Sequence, residues 1–143
     1  MKYLTILFFC FVVLACKSQK YSLEENSELT LKNGFYLITP SGIAEGNTTV
    51  SASFTLEDYN KDKILIYGFY FRNDFIELKE NQKNNTFKGS VILQKNKDAT
   101  IPFQLKNSEI VIAYSKNNKE KFVKFKLKRK ERDNFDVLMQ NKN

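Results

Sequence analysis

From Leu29 onward the chain alternates apolar and polar residues over short runs. Val50, Ala52, Phe54 and Leu56 are separated by Ser51, Ser53 and Thr55. Phe87, Gly89, Val91 and Leu93 alternate with Lys88, Ser90 and Ile92, and Ile101, Phe103 and Leu105 with Pro102 and Gln104. Val123, Phe125 and Leu127 alternate with Lys124 and Lys126. Successive side chains of a strand point to opposite faces, so each set predicts a strand with one buried and one wet side. Turn formers separate the runs at Asn60 to Asp62, Asn73-Asp74, Asn81 to Asn85, Lys95 to Asp98, Asn107-Ser108 and Asn117-Asn118. The spacing predicts strands near 29–39, 48–57, 63–71, 74–80, 86–94, 99–106, 109–115 and 121–129. Short strands in close succession predict an all-β domain, an antiparallel meander forming a small barrel or a sandwich. Residues 134–140 suit either a short helix or a further strand.

One predicted strand breaks the alternation. Residues 63–71, K-I-L-I-Y-G-F-Y-F, are apolar on both faces. Such a strand is either covered on both sides or turns its outer face to a ligand or partner. Gly68 within it marks a bend or the close approach of another backbone. Strict alternation puts Tyr67, Phe69 and Phe71 on one face, as core or as the lining of a ligand cavity.

The first 28 residues follow another pattern. Met1-Lys2 precedes an apolar run from Tyr3 to Ala15, and Cys16 ends it. A bilayer span needs roughly 20 apolar residues, so this run reads as a secretory signal helix. Val13-Leu14-Ala15-Cys16 resembles the lipobox of bacterial lipoproteins. The resemblance implies cleavage before Cys16, diacylation of its sulfur and a third acyl chain on the new amino terminus. Val13 and Ala15 also suit ordinary signal cleavage after Ala15. Lys17 follows the cysteine with no acidic cluster behind it, which by resemblance to known sorting signals implies the periplasmic face of the outer membrane.

Residues 17–28 are polar and aperiodic, and read as a tether reaching about 40 Å when fully stretched. The expected organisation is therefore a signal peptide over 1–15, a lipidated tether over 16–28, a β-domain over 29–132 and a C-terminal tail over 133–143. With Cys10 removed in the signal and Cys16 lipidated, no thiol remains for a disulfide. Burial alone must hold the domain together.

Composition narrows the chemistry. The chain has no His, which excludes Ser-His-Asp triads, Cys-His pairs and His-ligated metals. No phosphate-cradling glycine loop is present. Asp58-Tyr59-Asn60-Lys61-Asp62 opens like a calcium loop, but Lys63 stands where that loop needs Gly and Phe69 where it needs Glu. An Asx turn between strands is the expected use of this stretch. Glu57 with Asp58, and Glu77 with Glu80, are carboxylates close in sequence, and neighbours on a strand face apart. The expectation is a protein that is not an enzyme and uses no metal or cofactor.

Charge is unevenly placed. Without Lys2 the chain has 22 basic against 16 acidic residues. Residues 116–132 alone hold nine basic residues against Glu120 and Glu131, a net +7. On one strand, Lys124, Lys126 and Lys128 would form a row about 6–7 Å apart. With Arg129 and Lys130 they are the candidate site for headgroup phosphates, an acidic envelope polymer or an acidic protein. A solvated face, or an edge strand protected by lysine, would look the same. An exported lipoprotein is not expected to bind nucleic acid.

The run Leu31-Lys32-Asn33-Gly34-Phe35-Tyr36-Leu37 resembles the first strand of lipocalin-like barrels, which implies an alternative role as carrier of a small hydrophobic ligand. The main expectation is a lipid-anchored envelope protein acting by binding, of inhibitor or immunity type.

Overall fold

The computed structural model describes residues 21–43, 46–78, 85–93 and 101–131. The signal segment, Cys16 and the 133–143 tail lie outside the described residues, as does Arg132. The described chain is all-β. Its strands are β1 (Thr30–Thr39), β2 (Thr48–Glu57), β3 (Ile64–Phe71), β4 (Asp74–Glu77), β5 (Thr86–Leu93), β6 (Glu109–Lys116), β7 (Lys119–Lys126) and β8 (Lys128–Arg129).

They form two four-stranded sheets, ordered β5-β2-β1-β8 and β4-β3-β6-β7, stacked as a sandwich. The chain changes sheet after β2, β4, β5 and β7. Among the described strands only β1–β2, β3–β4 and β6–β7 are hairpins, so their order is not that of a simple meander. Two hairpins turn in two residues, Arg72-Asn73 (φ 49° and 62°) and Asn117-Asn118 (φ 51° and 59°). Consecutive positive φ angles match the twist of the flanking strands, and Asn tolerates them. Arg72 is an unusual residue for that conformation. Its guanidinium lies 5.3 Å from the centre of the Tyr36 ring and 5.7 Å from that of Phe71, and its Nε donates to the Asn107 carbonyl at 3.2 Å.

The core lies between the sheets. Val50, Phe54, Phe69, Phe71, Phe87, Ile110 and Ile112 are each no more than 2% exposed. Phe54 meets Phe69 edge-on and stacks on Phe87, both at 5.2 Å. Full burial contributes about 1.5–3 kcal/mol for each such side chain.

Three sequence expectations change in the structure. The predicted strand 99–106 is not a strand over its described part, 101–106. Its alternation is used differently: Phe103 and Leu105 pack on the outer face of the β4-β3-β6-β7 sheet. Pro102 has no N–H to give a ladder. The predicted strand 121–129 divides at buried Leu127. β7 stays antiparallel to β6, while β8 joins the other sheet parallel to β1. Finally, Tyr67 does not share a face with Phe69 and Phe71. A register shift between Ile66 and Gly68 reverses the parity of β3. Ile64, Ile66, Phe69 and Phe71 face inward, and Tyr67 and Tyr70 face outward. A bulge inserts one extra residue and so does this to every side chain beyond it. Gly68 sits at the bulge, where a methyl group would lie 2.7 Å from the Ile76 carbonyl oxygen.

Candidate functional site

The polar segment read as a tether is in contact with the β-body from Tyr21 onward. Leu23 bridges to Phe122 in parallel, and the Glu24 amide donates to the Phe122 carbonyl at 2.8 Å. The segment thus covers the outer edge of β7, where unpaired backbone groups would otherwise face water. Its side chains complete the attachment. The Tyr21 ring lies 6.0 Å from Phe103 and 5.5 Å from Phe122. The Glu24 carboxylate accepts from the Tyr114 hydroxyl and the Lys121 ammonium, and Glu28 pairs with Lys116. Ser27 Oγ lies 3.4 Å from the Tyr114 hydroxyl. Polarity hid this from the sequence: the strap has no period, and its partners stand some ninety positions away.

The clasp around Glu24 is charge-dependent. Partial burial pushes the Glu24 carboxyl up, but hydrogen bonds from Lys121 and Tyr114 and the charges of Lys121 and Lys116 outweigh it, leaving the group below its ordinary 4.5. Burial first, then the Glu24 hydrogen bond, pushes the Tyr114 hydroxyl up to about 12. A depressed carboxyl contributes stability above its unfolded value and loses it as pH falls through the folded one. A raised phenol contributes below its ordinary value of 10.0 and loses its part as pH climbs toward 12. Glu24→Gln is therefore expected to lower the thermal midpoint at neutral pH. The gap between variant and parent should close as the pH drops below the ordinary carboxyl value. Midpoints measured across pH test this, and a gap of constant size would exclude the charged clasp.

Beside the strap, the outer face of the β4-β3-β6-β7 sheet carries a second apolar cluster. Phe103, Val111, Ala113 and Phe122 are buried there, with Tyr67, Tyr70 and Leu105 packed against them. The doubly apolar β3 is accordingly covered on both faces over this stretch. Tyr67 donates to Glu120, and burial followed by that bond raises its pKa. A shallow groove of about 610 Å³ runs between the strap and the 102–104 segment, lined by Tyr21, Leu23, Phe103 and Lys124 among others.

The candidate cations are all exposed, and the Leu127 corner divides them. Lys124 and Lys126 pair in register with Val111 and Glu109, on the side of the groove. Lys128 pairs with Phe35 on the outer face of the other sheet, and the Lys130 ammonium lies 5.4 Å from the centre of the Phe35 ring. Arg129 pairs with Tyr36 between them. The five do not form one row; they wrap an edge of the sandwich as two groups on opposite sides. Lys116 and Lys121 are matched by Glu28 and Glu24, and Lys124 is 3.9 Å from Glu109. Lys126 stands opposite Glu109 across the β6–β7 ladder, while no described carboxylate is within ion-pair distance of Lys128, Arg129 or Lys130.

Other candidates resolve simply. The Asp58–Asp62 stretch is an Asx turn: Asn60 Oδ1 accepts from the Asp62 amide at 2.9 Å, and the Asn60 carbonyl from the Ile64 amide at 3.0 Å. No group of metal-ligating side chains is present among the described residues. Glu57, Asp58 and Glu77 are exposed, and Glu80 lies outside the described residues. Phe54, Phe69, Phe71 and Phe87 fill the space between the sheets, and no observation there favours a carrier. Comparison with known proteins finds no matching family model and no matching curated protein.

Proposed function

We propose that the chain is a lipid-anchored bacterial envelope protein and a non-catalytic binding module of inhibitor or immunity type. In this reading Cys16 carries the acyl chains, on the periplasmic face of the outer membrane. An acidic protein or envelope polymer docks at the corner formed by Lys128, Arg129 and Lys130, with Lys124 and Lys126 round the edge.

One observation carries the docking part. Lys128, Arg129 and Lys130 have no ion-pair partners among the described residues, and Lys128 and Lys130 flank an aromatic ring, Phe35, left 37% exposed. Lys116 and Lys121, nearer the strap, are matched by Glu28 and Glu24, whereas Lys128, Arg129 and Lys130 at the corner are not. Aromatic and arginine side chains supply much of the energy of protein interfaces, and surrounding charge steers the encounter.

The test uses the intact protein as bait in detergent-solubilised native envelope, with a poly-glutamate peptide as a defined acidic probe. Charge reversal at Lys128, Arg129 and Lys130 is expected to weaken capture roughly tenfold and to flatten its salt dependence. Capture of probe and envelope partners unchanged by the triple reversal would reduce the corner to a solubility device.

A further inference from the structure

We infer that the outer face of the β5-β2-β1-β8 sheet binds an acidic polysaccharide, one whose sugar rings carry carboxylates. This rests on the reading of Lys128 and Lys130 as part of a docking corner. It names the class of partner and extends the site across the sheet to Ser53 and Lys88.

The ladder assembles the site. Lys128 of β8 pairs with Phe35 of β1, Phe35 with Ser53 of β2, and Ser53 with Lys88 of β5. Paired residues share a face, so one row crosses all four strands and has a lysine at each end. With neighbouring strands about 4.8 Å apart, the two ends lie roughly 14 Å from each other. Phe35 is 37% exposed, and the Lys130 ammonium lies 5.4 Å from the centre of its ring. On β2 and β5 the adjoining rows are short and polar, with Ser51 opposite Ser90 and Thr55 opposite Thr86. Arg129 pairs with Tyr36 and so has the opposite parity.

One group in the middle of this row is unfinished. Ser53 is polar yet only 8% exposed, and its hydroxyl has no hydrogen-bond partner among the described residues. The oxygen is not sealed off, so a ligand can reach it. A hydroxyl both donates and accepts, as do those of a sugar. The charge around it is positive. No described carboxylate is within ion-pair distance of Lys88, Lys128 or Lys130. On this face of β2, Glu57 stands four residues from Ser53, about 13 Å along the strand, and Glu131 lies beyond the end of β8. Residue type then favours sugar over protein. Protein hot spots are rich in Trp, Tyr and Arg and poor in Ser and Thr, and Lys and Ser are depleted across interfaces. Here hydroxyls make the floor and lysines the two ends. An acidic polysaccharide supplies hydroxyls for the floor, C–H surface for the Phe35 ring and carboxylates for the lysines.

The probes are fluorescent hexamers of guluronate and of galacturonate, with hexaglutamate as a peptide of similar charge and maltohexaose as a neutral sugar. Binding to the full-length protein in non-ionic detergent is read by anisotropy at about 0.15 M salt, where the Debye length is roughly 8 Å. At least one uronate is expected to bind roughly tenfold more tightly than either control. Lys88→Gln should weaken it about threefold, since Lys88 lies beyond the Debye length from Lys128 and acts only on a ligand that spans the row. Ser53→Ala should weaken it about fivefold and leave hexaglutamate within about twofold. Because the Ser53 hydroxyl bonds to nothing in the fold, its loss should leave the thermal midpoint unchanged. Circular dichroism of each variant checks that the sheets are intact. Uronate binding that falls on charge reversal at Lys128, Arg129 and Lys130 but ignores Lys88→Gln and Ser53→Ala overturns this inference alone. Indifference to the triple reversal as well overturns the docking corner with it. No binding of either uronate overturns the inference, and hexaglutamate bound as tightly would assign the face to an acidic protein and overturn it too.

Discussion

Replacing Phe69 with alanine is expected to cost about 3–5 kcal/mol, a large fraction of the 5–15 kcal/mol that holds a typical domain folded. The side chain is fully buried and meets Phe54 edge-on at 5.2 Å. Gly89 of β5 brings the opposite sheet against it, since a methyl group there would lie 3.0 Å from Phe69 Cζ. Truncation removes apolar contact with β2 and β5 together and leaves a void that neighbours from two sheets cannot both relax to fill. At about 4 °C per kcal/mol the thermal midpoint should fall by roughly 12–20 °C. Leu65 on the same strand is 63% exposed, and Leu65→Ala should stay within about 0.5 kcal/mol of the parent. Denaturant titration of both variants measures the difference. Equal losses would mean that contact between the sheets is not what stabilises the fold.

Cys16→Ser is expected to move the protein from the membrane fraction to the soluble one. The shift depends on the proposed acylation of Cys16. A single myristoyl chain binds membranes with a constant of only about 10⁴ M⁻¹, while a second chain makes attachment stable. Serine accepts neither. What contact remains would come from cations at about 1 kcal/mol each near an anionic surface, and would wash away in salt. The fold should persist, because the described body begins at Tyr21 and contains no cysteine. Fractionation with and without a salt wash reads the first effect, and the mass of the native product reads the modification itself. An unmodified thiol, or a variant that stays with the membrane in high salt, would remove the basis for the anchor.

The legible and illegible parts of this fold have separate physical causes. β1, β2, β3 and β5 fall close to their expected places. β3 was bounded by its turn residues and its apolar length. For β2 and β5 the reason is that half-buried strands must alternate and these runs do. The same rule misled at residues 101–106. Phe103 and Leu105 alternate with polar neighbours and are inside, but they lie on a sheet instead of within one, and alternation reports burial, not hydrogen bonding. At β3 a single register shift moved Tyr67 off the face of Phe69, a change that counting by twos cannot see. Leu127 kept its place in the buried row while the ladder changed sheets beneath it. The basic residues were found, but their arrangement was not: a continuous row required one straight strand, and the corner at Leu127 made two groups. The strap was invisible because a polar segment binds through particular partners and not through a pattern.

The closure of this sandwich by its two ends sets an order of events. Glu24 finds Lys121 97 positions further along, and the free flank of β1 is filled only by Lys128 and Arg129, in the last described strand. Pairings across such separations form late, since the loop must be closed before any contact rewards it. A chain threading amino end first through a narrow pore would have β1 and β2 emerged while β7 and β8 were still behind. On the proposed export, the sandwich could not close until those final strands arrived.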